Sequence, residues 1–345
     1  KQKTAYEMLR SLVGSEMCIR DRDNFMQATA LSHPNIALIK YWGKRDAVKN
    51  LPAVDSLSLT LGGLWTKMRV EFSSDLNRDE LLINGIKDEP NLARVSQCLD
   101  LVVGKNRDFG RIESECNFPI SAGLASSSSS FSALVVAANM AINKESDTQL
   151  FATQAGCISG SAARSLMGGI VELTNTSNNI RIKQLSNAQR WPLSIVIAIT
   201  DKNKKSISSS QAMNLSSRSS PFYSAWIENQ SPDMHEARQA VINMDFQKLA
   251  AVSEHNCLKM HSVMWTTKPS VVYWNAATLN CMHAIRDLQQ DGESVFFTMD
   301  AGPQIKAICL PENEALIEEK LAEIDGVVSI MKSRLGEAPV SDINL

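Results

Sequence analysis

The chain has 345 residues, of which 44% are hydrophobic and 21% charged, and its formal net charge is −2. That length exceeds most single cores and calls for two lobes around a cleft. The balanced charge argues against a general nucleic-acid or anionic-membrane binder, and no apolar run is long enough to cross a bilayer.

The seven cysteines (18, 98, 116, 157, 257, 281 and 309) are odd in number and contain no CxxC pair. They read as free thiols of a reducing compartment, so a cytoplasmic location is expected. His255 and His261 would face different sides of one helix, which argues against a zinc site.

Residues 1–22 look foreign to the rest. They carry five basic and three acidic side chains, and without them the net charge is −4. Gly14 to Arg22 resembles translated adaptor sequence, so a non-native or disordered extension is expected, with a frayed amphipathic helix as the alternative. Its apolar stretch is too short for a secretory signal.

Strands are predicted at Met26–Leu31 and Asn35–Lys40, separated by Pro34, and at the alternating Ser56–Leu61 and Thr66–Phe72. Asn84-Gly85 between apolar residues predicts a hairpin, because both turn residues tolerate positive φ. A helix follows at Leu92–Val103 and a strand at Arg111–Cys116. Helices are predicted at Ser126–Ile142, Thr148–Gly156 and Ala162–Met167, and Gly168-Gly169 then opens a strand at Ile170–Leu173. Leu193–Ile199 reads as a strand buried on both faces. Helices dominate Pro221–Gln290. Strands at Ser294–Met299, Ile305–Leu310 and Val327–Met331 flank a helix at Glu312–Ala322. This mixed order predicts an α+β fold in two lobes, at 23–195 and 196–345, the second with a short tail.

Two segments carry chemistry. Pro119 to Ser128 joins small residues to the start of a long apolar helix. A helix N-terminus offers unpaired N–H groups and partial positive charge, and Gly123 with the serines lets phosphate oxygens approach. The segment is neither GxxxxGK[ST] nor GxGxxG; on its residues alone, an N-capped serine-rich helix fits equally well. Pro34 to Asp46 gathers Lys40, Lys44 and Arg45 with Tyr41 and Trp42. Read alone it is a solvated turn; with the first segment it suggests a grip on two phosphorylated ligands.

Pro119-x-x-x-Gly123-Leu124-x-Ser126-Ser127 resembles the ATP-binding motif of the galactokinase, homoserine kinase, mevalonate kinase and phosphomevalonate kinase superfamily. Within it, five segments in the same order resemble the diphosphomevalonate decarboxylase family: Asn35–Asp46, Asn117–Ser127, Ser159–Leu166 with Gly168-Gly169, Lys204–Ser210, and Asp300-Ala301-Gly302-Pro303. The resemblance implies a ribosomal-S5-domain-2-like N-terminal lobe, which holds ATP, and a ferredoxin-like C-terminal lobe around a deep cleft. It also implies ATP-dependent decarboxylation of mevalonate 5-diphosphate to isopentenyl diphosphate, with Mg²⁺ and a homodimeric assembly.

Carried over residue by residue, the resemblance makes Asp300 the general base, Lys40 its counter-charge, Arg164 the carboxylate fork, and Ser127 the hydroxyl near the transferring phosphoryl. Asn35, Tyr41, Trp42, Gly43, Lys44, Arg94, Ser159, Gly160, Ser161 and Ser210 would bind substrate. Gly123, Leu124, Ala125, Ser126, Ser127, Ser128, Lys204 and Ser209 would bind ATP. Ser127 is the one metal-ligand candidate, and no carboxylate is assigned to Mg²⁺. Asp300 alone also fits a turn-forming aspartate, and Lys204-Lys205 fits solubilising charge and nucleotide or substrate contact equally well.

Departures from the family pattern leave substrate choice open. Val54-Asp55-Ser56 is expected to add negative charge near the ligand, and Ser128 to Ser130, Ala163 and Ala212 are unusual. A phosphomevalonate decarboxylase, a mevalonate 3-kinase-type enzyme and, less well supported, a non-catalytic ligand sensor are the competing readings.

Overall fold

The computed structural model describes residues 26–118, 126–142, 147–203 and 205–342. The expected extension at 1–22 lies outside them. In chain order the elements are β1 (Gln27–Ser32), β2 (Asn35–Ile39), β3 (Lys44–Asp46), β4 (Leu51–Pro52), β5 (Ser56–Thr60), β6 (Thr66–Ser73), β7 (Glu80–Ile83), β8 (Ile86–Lys87), α1 (Glu89–Val102), β9 (Phe109–Cys116), α2 (Ser126–Ala141) and α3 (Thr148–Ile158). A 3₁₀ turn (Ala162–Leu166) leads to β10 (Ile170–Asn175), β11 (Ile180–Ser186) and β12 (Ser194–Ile199). Then come α4 (Ser209–Ser219), α5 (Tyr223–Glu228), α6 (Gln230–Asn243), α7 (Phe246–Trp265), α8 (Ala276–Gln290), β13 (Val295–Thr298), β14 (Ile305–Cys309), α9 (Glu314–Ala322), β15 (Ser329–Arg334) and β16 (Val340–Asp342).

The strands form a six-stranded sheet in the order β16-β1-β6-β9-β7-β8, two four-stranded sheets, β11-β10-β5-β2 and β13-β14-β12-β15, and the small β3–β4 ribbon. The fold is α+β, as its mixed element order demands. In β6 and β9 buried and exposed residues alternate, so one face of each meets the core and the other meets water. β12 is buried at every position, because its sheet is covered on both faces. Asn84 and Gly85 turn at φ of +49° and +79°, the left-handed pair that a two-residue hairpin loop needs.

α2 is buried nearly all round, and it packs on β1, β6, α1 and α3. Three short features have little sequence signal of their own: the β3–β4 ribbon, β11, and β16, which returns from the C-terminus to pair with β1. The segment 162–166 is 3₁₀ rather than α.

One apolar core joins the two halves of the chain. Ile36, Leu38 and Leu59 of the second sheet pack with Ile195, Ile197 and Ile308 of the third, with Leu249 of α7 between them. β2 therefore runs along the junction and ends at the cleft.

Gly168-Gly169 owes its composition to a close crossing. A side-chain carbon on Gly168 would lie 2.6 Å from Glu337 Cα, and one on Gly169 would lie 2.1 Å from the Ser186 carbonyl oxygen. Gly169 also sits at φ +76°. Gly169→Ala is expected to lower unfolding stability by more than ~1 kcal/mol, read as a lower urea midpoint with an unchanged slope.

Candidate active site

A cavity of about 790 Å³ opens where β2, the start of α2, the 3₁₀ turn, the start of α4 and the end of β13 converge. Asp300 sits two residues past β13, in a turn closed by the Gly302 N–H donating to the Asp300 carbonyl at 2.8 Å. Its carboxylate is 22% exposed toward the cavity. Lys40 Nζ donates to Asp300 Oδ1 at 2.9 Å and to the Ala37 carbonyl at 2.7 Å. Lys306 Nζ lies 3.6 Å from Oδ2 and is wholly buried.

Burial alone would raise the Asp300 pKa, but Lys40, Lys306 and Arg164 outweigh it and hold the carboxyl at about 2, below the ordinary 3.8. The sign follows directly. The ionised carboxylate stabilises the fold above about pH 4, and that contribution is lost as pH falls toward 2.

Arg164 is 2% exposed. Its Nη1 donates to Ser56 Oγ at 2.7 Å and its Nη2 to Asn35 Oδ1 at 3.3 Å. Burial lowers its pKa to about 10, so it stays charged at neutral pH. Asn35 is fixed in turn, donating to the Ser161 carbonyl and to Ser165 Oγ. The Arg164 Nε and the buried Tyr41 hydroxyl find no protein partner among the described residues. Both residues line the cavity, although these two atoms are themselves shielded from solvent. Burial raises the Tyr41 pKa to about 12, keeping it a neutral donor.

At the other end, Lys44 Nζ donates to Ser210 Oγ at 3.0 Å, and Arg94 Nη2 donates to the Ile158 carbonyl at 3.2 Å. Arg94 also stacks over Phe131 at 4.7 Å. Neither forms an ion pair among the described residues. Burial, with Arg94 nearby, lowers the Lys44 pKa. Two neighbouring cations without carboxylate partners make an anion site. Ser159, Gly160 and Ser161 line the wall beside them. Gly160 leaves room for the Tyr41 ring, which would stand 2.5 Å from an added Cβ.

Ser126 and Ser127 open α2 at the cavity wall, with Ser159 Oγ donating to Ser127 Oγ at 3.3 Å. Trp42 and Ser209 also line the cavity. The Trp42 indole donates to Ser216 Oγ at 3.0 Å, which fixes its ring.

The structure departs from expectation at three residues. Ser128 is fully buried and takes the Asn35 N–H at 3.3 Å, so it braces β2 and does not line the cavity. Gly43 does not line the cavity either: at φ +105° it clears the Tyr223 hydroxyl, 2.1 Å from where a Cβ would stand. Asp55 accepts from the Asn175 backbone at 2.8 Å, on β10, and adds no charge to the cavity wall. Gly123, Leu124, Ala125 and Lys204 lie outside the described residues.

Comparison with known proteins gives the same picture. A diphosphomevalonate decarboxylase-like N-terminal domain matches residues 32–186, and a mevalonate 5-diphosphate decarboxylase C-terminal domain matches residues 195–338. The diphosphomevalonate decarboxylase of Saccharomyces cerevisiae is 30% identical over 87% of this chain and 82% of its own length. That of Candida albicans is 29% identical over 91% and 90%. The chain belongs to the diphosphomevalonate decarboxylase family.

Solved structures agree. The mevalonate diphosphate decarboxylase from Staphylococcus aureus has a TM-score of 0.86 and 30% identity, covering 92% of this chain and 98% of that one. A structure holding MVAPP, AMPPCP and magnesium has a TM-score of 0.85 and 29% identity, covering 92% and 99%.

Within this decarboxylase-family cleft, sequence reasoning missed Lys306 and left Lys205 evenly between solubilising charge and ligand contact. Lys205 lines the cavity and donates to Ser209 Oγ at 2.8 Å and to the Ala301 carbonyl at 3.2 Å. Burial lowers its pKa, and the charge of Asp300 opposes that shift. Lys306 had a signal: it is the single charge in the apolar strand Ile305–Cys309, and a lone charge in such a strand needs a partner. Lys306→Met is expected to raise the Asp300 pKa by about one unit. A pH profile of kcat would show its acid limb moved upward by that amount; an unmoved limb would show that Lys306 does not act on an Asp300 that limits turnover.

Proposed function

We propose that this chain converts mevalonate 5-diphosphate and ATP to isopentenyl diphosphate, ADP, phosphate and CO₂. One observation carries the proposal: Asp300, Lys40, Arg164 and Ser127 all face a single cavity. Its opposite end presents Lys44 and Arg94 to an anion.

The substrate's diphosphate would lie against Lys44, Arg94, Tyr41 and Ser210, and its carboxylate against Arg164, whose planar fork matches two oxygens. That leaves the tertiary 3-hydroxyl toward Asp300. A carboxylate held at about pKa 2 is a weak base. Asp300 therefore accepts the proton as phosphoryl transfer advances and works chiefly by position. Once the 3-phosphate leaves, positive charge grows at C3, and the C–C bonding pair released with CO₂ becomes the alkene. No carbonyl lies β to the carboxylate, so no enolate can form and the leaving phosphate takes the place of an electron sink. Lys40, Lys205 and Arg164 stand where they can stabilise the departing anion.

The phosphates of ATP would meet the start of α2 at Ser126 and Ser127. No group of three or more His, Cys, Asp or Glu side chains forms a metal cluster among the described residues. This donor set suits Mg²⁺, which is commonly held by phosphate oxygens, waters and one or two protein oxygens; Ser127 Oγ is the available hydroxyl. Bound Mg²⁺ would neutralise charge on the ATP phosphates. In the same reading the lobes divide at 195–196 and the enzyme is a cytoplasmic homodimer, a state that light scattering tests.

Purified protein supplied with ATP and each mevalonate ester should release ADP and CO₂ in equal amounts from the 5-diphosphate. CO₂ from the 5-monophosphate alone would make it a phosphomevalonate decarboxylase; ADP without CO₂ would make it a 3-kinase. Asp300→Asn should lower kcat by roughly 10²- to 10⁴-fold while nucleotide affinity, measured by calorimetry, stays the same.

A further inference from the structure

Lys40 follows directly on β2, at a point where the chain has left the sheet. Its side chain and backbone are buried together, at 1% exposure. Both backbone groups are satisfied by side chains from the other half of the chain. The Lys40 N–H donates to Asn256 Oδ1 at 2.8 Å, and the Lys40 carbonyl accepts from Gln230 Nε2 at 2.8 Å. Asn256 lies in α7 and Gln230 opens α6. Asn256 Nδ2 also donates to Gln230 Oε1 at 2.5 Å and to Asp233 Oδ2 at 2.6 Å. Asp233 pairs with Lys259 at 2.5 Å.

A carboxamide turned end for end keeps its shape but swaps donor and acceptor. Here each orientation is forced. The Asp233 carboxylate only accepts, so it fixes Asn256 Nδ2 toward itself and leaves Oδ1 to face the Lys40 N–H. Gln230 Oε1 is taken by Asn256, so Nε2 faces the Lys40 carbonyl. Polarity is passed from one largely buried charged pair to a fully buried backbone. Apolar side chains of similar shape would leave the buried Lys40 N–H and carbonyl unpaired, so the network both supports the fold and fixes where the Lys40 backbone lies.

We propose that Asp233, Asn256 and Gln230 are positioning residues that set where Lys40 meets Asp300, an assignment that rests on the decarboxylase reading. The charged and titratable groups facing Asp300 are Lys40 after β2, Lys306 on β14, Arg164 on the 3₁₀ turn, Lys205 before α4, and Cys257 and His261 on α7. Of these, Lys40 is the one the network holds by its backbone.

Gln230→Met keeps length and volume but cannot donate to the Lys40 carbonyl; Asp233→Asn is the milder variant, removing the acceptor-only anchor. Arg238→Met is the control, because it breaks a different bridge between the halves, that of Arg238 to Glu172. Either network variant should lower kcat tenfold or more, hold KM for both substrates within about twofold, and shift the acid limb of kcat upward. A crystal structure should show the Lys40–Asp300 contact opened beyond 2.9 Å. Arg238→Met should change none of these. An unchanged kcat and pH profile in a folded network variant overturns the assignment, as does the same change in Arg238→Met, or failure of both network variants to fold. A wild-type chain without turnover overturns the decarboxylase reading instead; the crystallographic distance in the variants then still decides the network's role.

Discussion

The Lys40–Asp300 ion pair is the constraint around which the rest is arranged. Its partners stand 260 positions apart in sequence and 2.9 Å apart in space. Removing either charge from water costs several kcal/mol, and a lone carboxylate in such a place would take up a proton instead. Asp300 is therefore ionised because Lys40, Lys306 and Arg164 surround it. Those cations come from the end of β2, from β14 and from the 3₁₀ turn, so the charge of one carboxylate depends on both halves of the chain being in place.

The substrate end of the cleft has the opposite design. Lys44 and Arg94 are close enough for one to depress the other's proton affinity, and no acid among the described residues relieves them. The cations around Asp300 share one carboxylate, whereas Lys44 and Arg94 have none among the described residues. An anion would thus meet a site that is electrostatically incomplete without it, while Asp300 needs no ligand to be ionised.

Most of this was legible from residue types. Alternation located β5 and β6, Asn84-Gly85 located the hairpin, and the five family-like segments gathered Asp300, Arg164, Lys40 and Ser127 in one place. The missing parts lack local signals. β11 carries Ile180 and Ile182 at period two, but Arg181, Lys183 and Gln184 between and beyond them make it read as a polar loop. Gly43 and Ser128 sit inside motifs, yet one makes room for Tyr223 and the other braces Asn35, and motif membership does not tell contact from support. Asn256 and Gln230 act on a backbone 216 and 190 positions away, which periodicity cannot register.

The apolar core shared by the second and third sheets bears on how the cleft can move. Buried side chains of β2 and β5 share one apolar cluster with those of β12, β14 and α7. Rigid-body opening would strip that packing from both sheets at once. The floor of the pocket, where Ala37 lies in β2 and Lys40 continues its line, therefore rests on packing that both halves supply.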